Sequence, residues 1–358
     1  MPALSRAWVE VDLAALCRNA VAAAASAGAP LLPMVKADAY GLGAVHVARA
    51  LESIEPWGFG VATIDEGVEL REAGISRPVV VFTPLLVHEL EAAAAASLTP
   101  ALGSSESILQ WRMYGLPYHL SVDTGMSRAG VPWREVAQLK DALKANPPSG
   151  AFTHFHSAQL DDSSRAAQIS RFNEALASLS SSPLLVHAEG SAAIVRHRGV
   201  SWDLARPGIF LYGVATVSGA SVEPEPVVHL RGLVVDIRTI ESGDTVSYDA
   251  TFTAISRTRI ATVGIGYADG YPRSLSNTGE AIVGGRRVSI AGRVTMDMVM
   301  LDVTGVDCDL GDVVTLIGRS PDGSGILTVA AVAEKASMSP YELLTGLKSR
   351  TGRIYLDA

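Results

Sequence analysis

The hydrophobic positions of this chain form short apolar runs separated by helix-like stretches. Over the first two-thirds of the sequence the runs recur at residues 31–36, 58–62, 78–82, 98–102, 118–123, 150–155, 184–189 and 204–213. The intervening stretches have helix-like composition, often with Asp, Ser or Pro near the start, at 64–73, 87–96, 104–114, 133–145 and 163–179. Parallel strands need long crossover connections, which alternating helices supply. The pattern therefore predicts an α/β fold, a (β/α)8 TIM-type barrel.

The pattern changes after residues 220–228, where prolines alternate with acidic residues as in an interdomain linker. The later runs are longer and rich in Val, Ile and Thr, at 229–240, 257–266, 281–294, 298–304 and 312–318. Gly284-Gly285 predicts a hairpin, and helix-like pieces follow at 328–337 and 340–348. We expect a barrel over residues 11–228 and a mainly β domain over 229–358, which also includes residues 1–10.

Composition and charge narrow the functional classes. The chain has 358 residues, 18% of them charged, and a formal net charge of -8 without a basic run, which argues against nucleic acid as a partner. Cys17 and Cys308 form no CxxC or Cys/His cluster, so we expect no disulfide framework and no metal. No apolar stretch reaches membrane-spanning length, and no signal-like segment begins the chain. We expect a cytoplasmic protein without a membrane partner.

Polar residues collect at the carboxyl ends of the predicted barrel strands, where barrel active sites are built. Lys36 ends the first run and is followed by a glycine-punctuated turn, DAYGLG. Further candidates at later strand ends are Arg128, His154, Ser191 and Arg206. Singly, each has an ordinary explanation: a solvated lysine, arginines in surface ion pairs, or a core histidine. Their recurrence at one end of successive strands predicts a site.

Six segments of the chain resemble signature segments of the alanine racemases, which are barrel enzymes that depend on pyridoxal phosphate. They are VKADAYGLG, VDTGMSRAGV, ARPGIFLYG, VSYDATFTA, GIGYADGYPR and GRVTMDM, in the family's order. The resemblance extends from Trp8 to Tyr355. It implies the cofactor pyridoxal 5'-phosphate, a small amino acid substrate and a homodimer with shared active sites.

The resemblance also implies roles for individual residues. Lys36 would hold the cofactor as a Schiff base and serve as one of two bases, with Tyr248 as the other on the opposite face of the substrate. His154 and Arg206 would favour the Tyr248 phenolate through positive charge. Arg206 would also face the pyridine nitrogen and, because it keeps its proton, leave that nitrogen unprotonated.

The remaining implied roles concern binding. Arg128 matches the family residue that contacts the cofactor's phenolic oxygen and the substrate carboxylate. The resemblance assigns phosphate contacts to Tyr40, Ser191, Gly208 and Ile209. The substrate side of the site, together with an entry corridor, would come from the partner subunit's β domain through Tyr267, Met296, Asp297, Arg273 and Arg293.

Three positions depart from the family pattern. Ser121 stands where many racemases carry a carbamate-modified lysine, so that support for Arg128 should be absent. Gly190 replaces an asparagine, and Ser349 replaces a tyrosine near the carboxy terminus. Both changes are expected to enlarge or soften the surroundings of cofactor and substrate. The specificity for alanine is therefore more open than the racemase chemistry.

The main hypothesis is interconversion of L-alanine and D-alanine, which would supply D-alanine for peptidoglycan in the cell wall. A serine or broad-specificity amino acid racemase is the close alternative. An amino acid decarboxylase of the same fold should carry a cysteine-containing motif in place of VSYDATF, and Cys308 lies outside any such motif. A barrel that only stores the cofactor would lack a β domain that donates Tyr248.

Overall fold

The computed structural model describes residues 5–160, 162–179, 185–197, 199, 202–217, 219–220 and 222–357. Parts of four predictions lie outside these residues: residues 1–4 of the amino-terminal segment, Leu184 at the start of the seventh run, Ser221 in the linker, and Ala358.

The predicted parallel barrel is confirmed. Its strands pair in sequence order, and they are Phe59–Val61, Val79–Val81, Thr99–Leu102, His119–Asp123, Gly150–Phe152, Leu185–Gly190 and Leu204–Arg206. A short strand, Val131–Pro132, pairs beside the fourth of these. Most strand residues are buried, which explains why strands such as Val79–Val81 appear in the sequence as continuous apolar runs.

The first apolar run differs from the predicted strand. It closes the barrel by single parallel bridges, from Leu31 to Ala205 on one side and from Met34 to Gly60 on the other. Pro33 lies between the two bridged residues and has no backbone N–H to donate. The segment therefore occupies the place of a strand without forming a continuous one.

Helices connect the barrel strands, and each of the five stretches predicted to be helical contains one. They are Leu13–Ala27, Ala44–Leu51, Ile64–Glu72, Leu90–Ala95, Ser105–Trp111, Lys140–Ala145, Ser164–Ala177 and Ser191–Arg196, with 3-10 turns at Glu52–Ile54, Val87–Glu89, Arg112–Tyr114 and Trp133–Leu139. Side-chain caps begin several of them. Thr63, for example, accepts the amide of Glu66, while the Glu66 carboxylate accepts the amide of Thr63.

The carboxy-terminal part is mainly β, as predicted. Its strands are Val228–Ile240, Thr245–Val246, Phe252–Thr253, Thr258–Val263, Glu280–Val283, Arg286–Ser289, Val299–Asp302, Val313–Arg319, Ile326–Leu327 and Gly352–Leu356. The predicted hairpin turns at Gly284-Gly285, both at positive φ. Its helices are Val329–Lys335 and Pro340–Thr345, with 3-10 turns at Tyr248–Ala250, Tyr267–Asp269 and Arg273–Leu275.

The two ends of the chain meet in the β domain. The amino-terminal strand Ala7–Asp12 pairs antiparallel with Val228–Ile240 and parallel with Gly352–Leu356. Near the carboxy terminus, Arg353 donates to the carbonyl of Gly41 at 2.7 and 3.0 Å. The β domain thus contacts the barrel at the turn that follows Lys36.

Candidate active site

A cavity of about 600 Å³ lies at the carboxyl ends of the barrel strands. It is lined by all the residues for which the sequence predicts cofactor contacts: Lys36, Tyr40, Arg128, His154, Ser191, Arg206, Gly208 and Ile209. Side chains far apart in sequence therefore converge on one space. The volume suits a cofactor together with a small substrate.

Lys36 stands at the start of an unusual turn. The four residues after it, Ala37 to Tyr40, all have positive φ between 51° and 60°, a left-handed turn without glycine. Glu66 supports this turn, because its carboxylate accepts the amides of Ala37 and Ala62, each at 2.7 Å. The Lys36 amine has no hydrogen bond or ion pair within the described part of the chain. Burial and the nearby Arg128 lower the pKa of Lys36.

The charged side chains of the cavity lining are mostly cations. Lys36, Arg128 and Arg206 face a single lining carboxylate, Asp123. One oxygen of Asp123 is already engaged, since Oδ1 accepts the backbone amides of residues 125, 126 and 127 at 2.9 to 3.1 Å. The lining therefore favours anionic ligands such as a phosphate or a carboxylate.

Arg206 is held rigidly inside the barrel. Its guanidinium donates to the carbonyls of Thr153 and Ala188 at 2.7 and 3.1 Å and to Nδ1 of His187 at 2.6 Å. Burial lowers the pKa of Arg206 to about 9, so it stays charged at neutral pH. His154 lies 3.5 Å away, and burial together with Arg206 lowers the pKa of His154 to about 3.

A second buried histidine extends this network. Because a guanidinium can only donate, Nδ1 of His187 must accept, and Nε2 carries its proton. That nitrogen lies 2.8 Å from Nδ1 of His119, which therefore accepts in turn. Burial holds the pKa of His187 well below its ordinary value and lowers that of His119 to about 4. The charge on Arg206 thus fixes the tautomers of both neutral histidines.

These buried histidines predict acid sensitivity of the fold. In the unfolded chain such a histidine binds a proton below about pH 6.5, whereas His119 in the folded chain does so only near pH 4. The folded state therefore becomes less stable as the pH falls through this range. Each such histidine lowers the free energy of unfolding by roughly 1.4 kcal/mol for each pH unit of acidification in that window. We expect His119→Asn, which keeps an acceptor, to flatten the fall in thermal unfolding midpoint between pH 7 and 5. The exposed His88→Asn is the control, and equal slopes for the two variants would contradict the assignment.

Tyr40, Ser191 and Gly208 form a cradle of hydroxyl and amide groups in the cavity lining. Ser191 Oγ accepts the backbone amides of Gly208 and Phe210 at 2.8 and 3.4 Å. The Tyr40 hydroxyl lies so close to Gly208 that a Cβ there would stand 2.4 Å from it. Only glycine therefore fits at position 208 while Tyr40 keeps its place.

Two features of the site were not predicted from the sequence. Tyr341, from the β domain of the same chain, lines the cavity, with its ring centroid 5.9 Å from that of Tyr40. Glu189, which is fully buried, pairs with Arg165 beside the cavity. Its negative charge raises the pKa of Arg206, against the larger effect of burial. The EGSAA segment could have identified Glu189, because a carboxylate at the end of an apolar run is expected to be buried and to need a cation beside it.

Of the three residues that depart from the family pattern, two line the cavity and one does not. Ser121 lines the cavity, and its hydroxyl lies 2.7 Å from where a Cβ on Gly130 would stand. Gly190 also lines it, and the space beside this glycine is open: the nearest atom to a Cβ there would be His154 Cε1 at 3.7 Å. Ser349 is exposed and does not contribute to the cavity lining.

The residues predicted to act from the β domain do not line the cavity of their own chain. They are Tyr248, Tyr267, Met296 and Asp297. Tyr248 is 71% exposed and Met296 is 53% exposed. Asp297 pairs with Arg350 at 2.6 Å, and of the two predicted corridor arginines Arg293 lies 3.3 Å from Asp249, next to Tyr248. Within one chain, Lys36 and Tyr248 are not brought together.

Two absences apply to the part of the chain that the structure describes. None of its helices is both long and apolar enough to cross a membrane. Nor do its His, Cys, Asp and Glu side chains form a group of three or more that could hold a metal ion.

Fold and site together define a lysine-centred barrel enzyme with an added β domain. The model for the alanine racemase N-terminal domain matches residues 11–216, and that for the C-terminal domain matches residues 227–355. The chain belongs to the alanine racemase family and is an isomerase of that class.

Individual relatives agree with this assignment. The curated alanine racemase of Citrifermentans bemidjiense is 41% identical, over 97% of this chain and 98% of its own length. Among solved structures, the alanine racemase of E. faecalis superposes with a TM-score of 0.91 at 30% identity, over 98% of both chains. That of Bartonella henselae, with covalently bound pyridoxal phosphate, has a TM-score of 0.89 at 30% identity, over 98% of this chain and 99% of its own.

Proposed function

We propose that this chain interconverts L-alanine and D-alanine with pyridoxal 5'-phosphate as cofactor and Lys36 and Tyr248 as the two bases. The observation that carries the proposal is the convergence of Lys36 with the predicted cofactor residues on one cationic cavity. The proposed units are a cofactor barrel over residues 11–228 and a β domain over 229–358, with 1–10. The purpose we propose is supply of D-alanine for peptidoglycan by a cytoplasmic enzyme.

The residues present fit this cofactor. The cradle of Tyr40, Ser191 and Gly208 offers hydroxyl and amide groups that suit a phosphate without a metal. Lys36, at the other side of the same cavity, has an amine free of hydrogen bonds to the described residues and a lowered pKa, as covalent attachment of an aldehyde requires. When bound, pyridoxal phosphate would withdraw electrons from the amino acid and make its Cα–H acidic.

The chain's own residues then determine how protons move. Lys36 Nζ takes or returns the Cα proton on one face, because its lowered pKa favours the neutral amine. Arg206 stays protonated at neutral pH, so it would leave the ring nitrogen unprotonated and limit the cofactor's electron withdrawal. Arg128 would bind the substrate carboxylate with its forked donors. His154, with its pKa near 3, would be neutral and supply no positive charge, contrary to the expectation from the resemblance, so in this proposal Arg206 favours the Tyr248 phenolate.

Tyr248 must come from a second copy of the chain. It does not line its own cavity, and it stands with Tyr267, Met296 and Ile255 among the exposed apolar side chains of the β domain. Exposed apolar residues of this kind are typical of protein interfaces. In a two-fold dimer each β domain could face the partner's barrel, and each site would then contain one Lys36 and one Tyr248.

A serine or broad-specificity racemase is the second candidate. Gly190 leaves open space beside His154, and Ser349 does not fill the cavity. A substrate side chain larger than a methyl group could occupy such space. An apolar pocket also discriminates only weakly, by about 10²-fold at most, against a substrate that differs by an added hydroxyl.

Purified protein with pyridoxal phosphate should convert L-alanine to D-alanine in deuterated water and place deuterium at Cα. L-serine, tested in parallel at equal concentration, should react more slowly by kcat/KM. Faster reaction with serine would favour the second candidate. Absence of Cα exchange with every amino acid tested would refute racemisation.

A further inference from the structure

The hydrogen-bond partners of the Arg206 guanidinium are all uncharged at neutral pH. They are the carbonyls of Thr153 and Ala188 and the ring nitrogens of His187 and His154. Arg206 is only 5% exposed, and it forms no ion pair with any residue that the structure describes. A buried cation that lacks a paired carboxylate needs other groups to stabilise its charge.

Two phenylalanine rings form a corner around this guanidinium. Cζ of Arg206 lies over the ring of Phe152, 5.4 Å from its centroid, and over the ring of Phe82 at 5.6 Å. The two rings meet edge to face, with centroids 5.1 Å apart and an interplanar angle of 78°. A cation within about 6 Å of a ring centroid is attracted by the negative face of the ring, and more strongly where water is excluded. Both rings therefore present an attractive face to one buried cation.

The barrel itself holds the two rings in place. Phe152 is the last residue of the strand Gly150–Phe152, and it is buried. Phe82 directly follows the strand Val79–Val81, and its amide donates to the carbonyl of Val61 at 3.0 Å. The ring of Phe152 also stacks on that of His187, with centroids 5.2 Å apart and planes only 7° from parallel. One ring thus contacts both the guanidinium and a histidine that accepts its hydrogen bond.

We propose that Phe82 and Phe152 are positioning residues that hold the protonated Arg206 guanidinium in place by cation–π attraction. The carboxylate of Glu189 also favours the charged form of Arg206, but it is already paired with Arg165. The consequence for the reaction rests on the proposed function, in which a charged Arg206 faces the cofactor's ring nitrogen. Neither phenylalanine touches a reacting atom in this proposal, and both act through Arg206.

Ring fluorination tests the attraction separately from packing, because fluorine weakens the negative face of the ring and changes its shape little. Phe152 is replaced in turn by mono-, di- and trifluorinated phenylalanine, and Phe82 likewise. The titration of Arg206 is followed in the full-length chain without cofactor, through the NMR signal of its labelled Cζ, which Arg206→Lys identifies by its loss. We expect the proton dissociation constant of Arg206 to rise stepwise, reaching about tenfold for the trifluorinated ring at Phe152.

Phe59 provides the matched control. It is a buried ring in a barrel strand, and no cation lies over it within the described part of the chain. The same fluorinated series at Phe59 should leave the titration of Arg206 unchanged. Cyclohexylalanine at Phe152, which keeps the bulk of the ring without its negative face, should raise the proton dissociation constant at least as much as the trifluorinated ring.

A pH profile of the holoenzyme tests the consequence for the reaction. Arg206 carries its charge only below its pKa, so a weaker attraction should let it lose the proton at lower pH. We expect the alkaline fall in racemisation rate to begin about one pH unit lower in the enzyme with trifluorinated Phe152 than in the wild type.

Unchanged titration across the series at both positions, or an equal change in the Phe59 series, would overturn the cation–π role. A shifted titration with an unmoved alkaline limb would overturn the role in the reaction. The titration needs neither cofactor nor substrate. Failure of the wild type to racemise any amino acid would therefore overturn the proposed function, and with it the role in the reaction, but not a measured effect of the rings on Arg206.

Discussion

Lys36→Ala is expected to abolish covalent retention of pyridoxal phosphate and to reduce racemisation by at least about 10³-fold, since attachment and one proton transfer depend on the same amine. The amine faces a cationic cavity and has a lowered pKa, which a solvated lysine would not show. Borohydride reduction followed by peptide mass spectrometry should find the cofactor on the Lys36 peptide of the wild type and on no peptide of the variant.

The exposed Lys144→Ala is a suitable control, because it changes the same kind of side chain outside the cavity lining. It should retain wild-type labelling and activity. Added methylamine is expected to restore part of the activity of Lys36→Ala by supplying a small base. A labelled peptide other than that of Lys36 in the wild type would contradict the assignment.

Tyr248→Phe should also be nearly inactive, and its combination with Lys36→Ala tests whether the site is shared. In the proposed dimer, neither variant on its own forms an intact site. After subunit exchange, half of the dimers carry one chain of each kind, with Lys36 from one and Tyr248 from the other in one of their two sites. We expect recovery of about a quarter of wild-type activity if the dimer is two-fold symmetric.

The control for this experiment mixes Lys36→Ala with Arg206→Ala. Both changes lie in the barrel cavity, so no exchanged dimer has an intact site and activity should stay low. Recovery in this control, or none in the Tyr248 mixture once exchange is shown by mass spectrometry, would contradict the shared site.

Much of the architecture follows from the sequence because buried parallel strands leave a simple signal. Runs such as Val79–Val81 are apolar on both faces, and glycine or proline marks many of their ends. The hairpin at Gly284-Gly285 follows from the two positive φ angles it needs. The first predicted strand is the exception. The segment from Leu31 to Met34 is apolar like the others, but Pro33 prevents a continuous ladder of hydrogen bonds.

The candidate site was predictable where a charged side chain follows directly on an apolar run. Lys36, Arg128 and Arg206 stand at strand ends, and the resemblance supplied their proposed partners. The left-handed turn after Lys36 was not predictable, because alanine, aspartate and tyrosine normally avoid positive φ and only tertiary contacts enforce it. Glu66 supplies one such contact from 29 residues away.

Other residues were missed because their roles depend on distant neighbours. His119 lies within an apolar run, and nothing local shows that it accepts from His187. Tyr341 lies in a helix of the other domain, far from every barrel motif. For Tyr248, the local sequence pattern does not indicate which subunit's cavity it would enter, and only the resemblance implies that it serves the partner's Lys36.

The contacts around Gly41 also bear on the order in which the chain matures. A ribosome produces the whole barrel before it produces Pro340–Thr345 and Arg353, which hold the turn beside Lys36. The strand Ala7–Asp12 likewise pairs with Gly352–Leu356, which is made more than 300 residues later. Such long sequence separations slow folding. We therefore expect a nascent chain to be unable to bind the proposed cofactor stably until Gly352–Leu356 has been made.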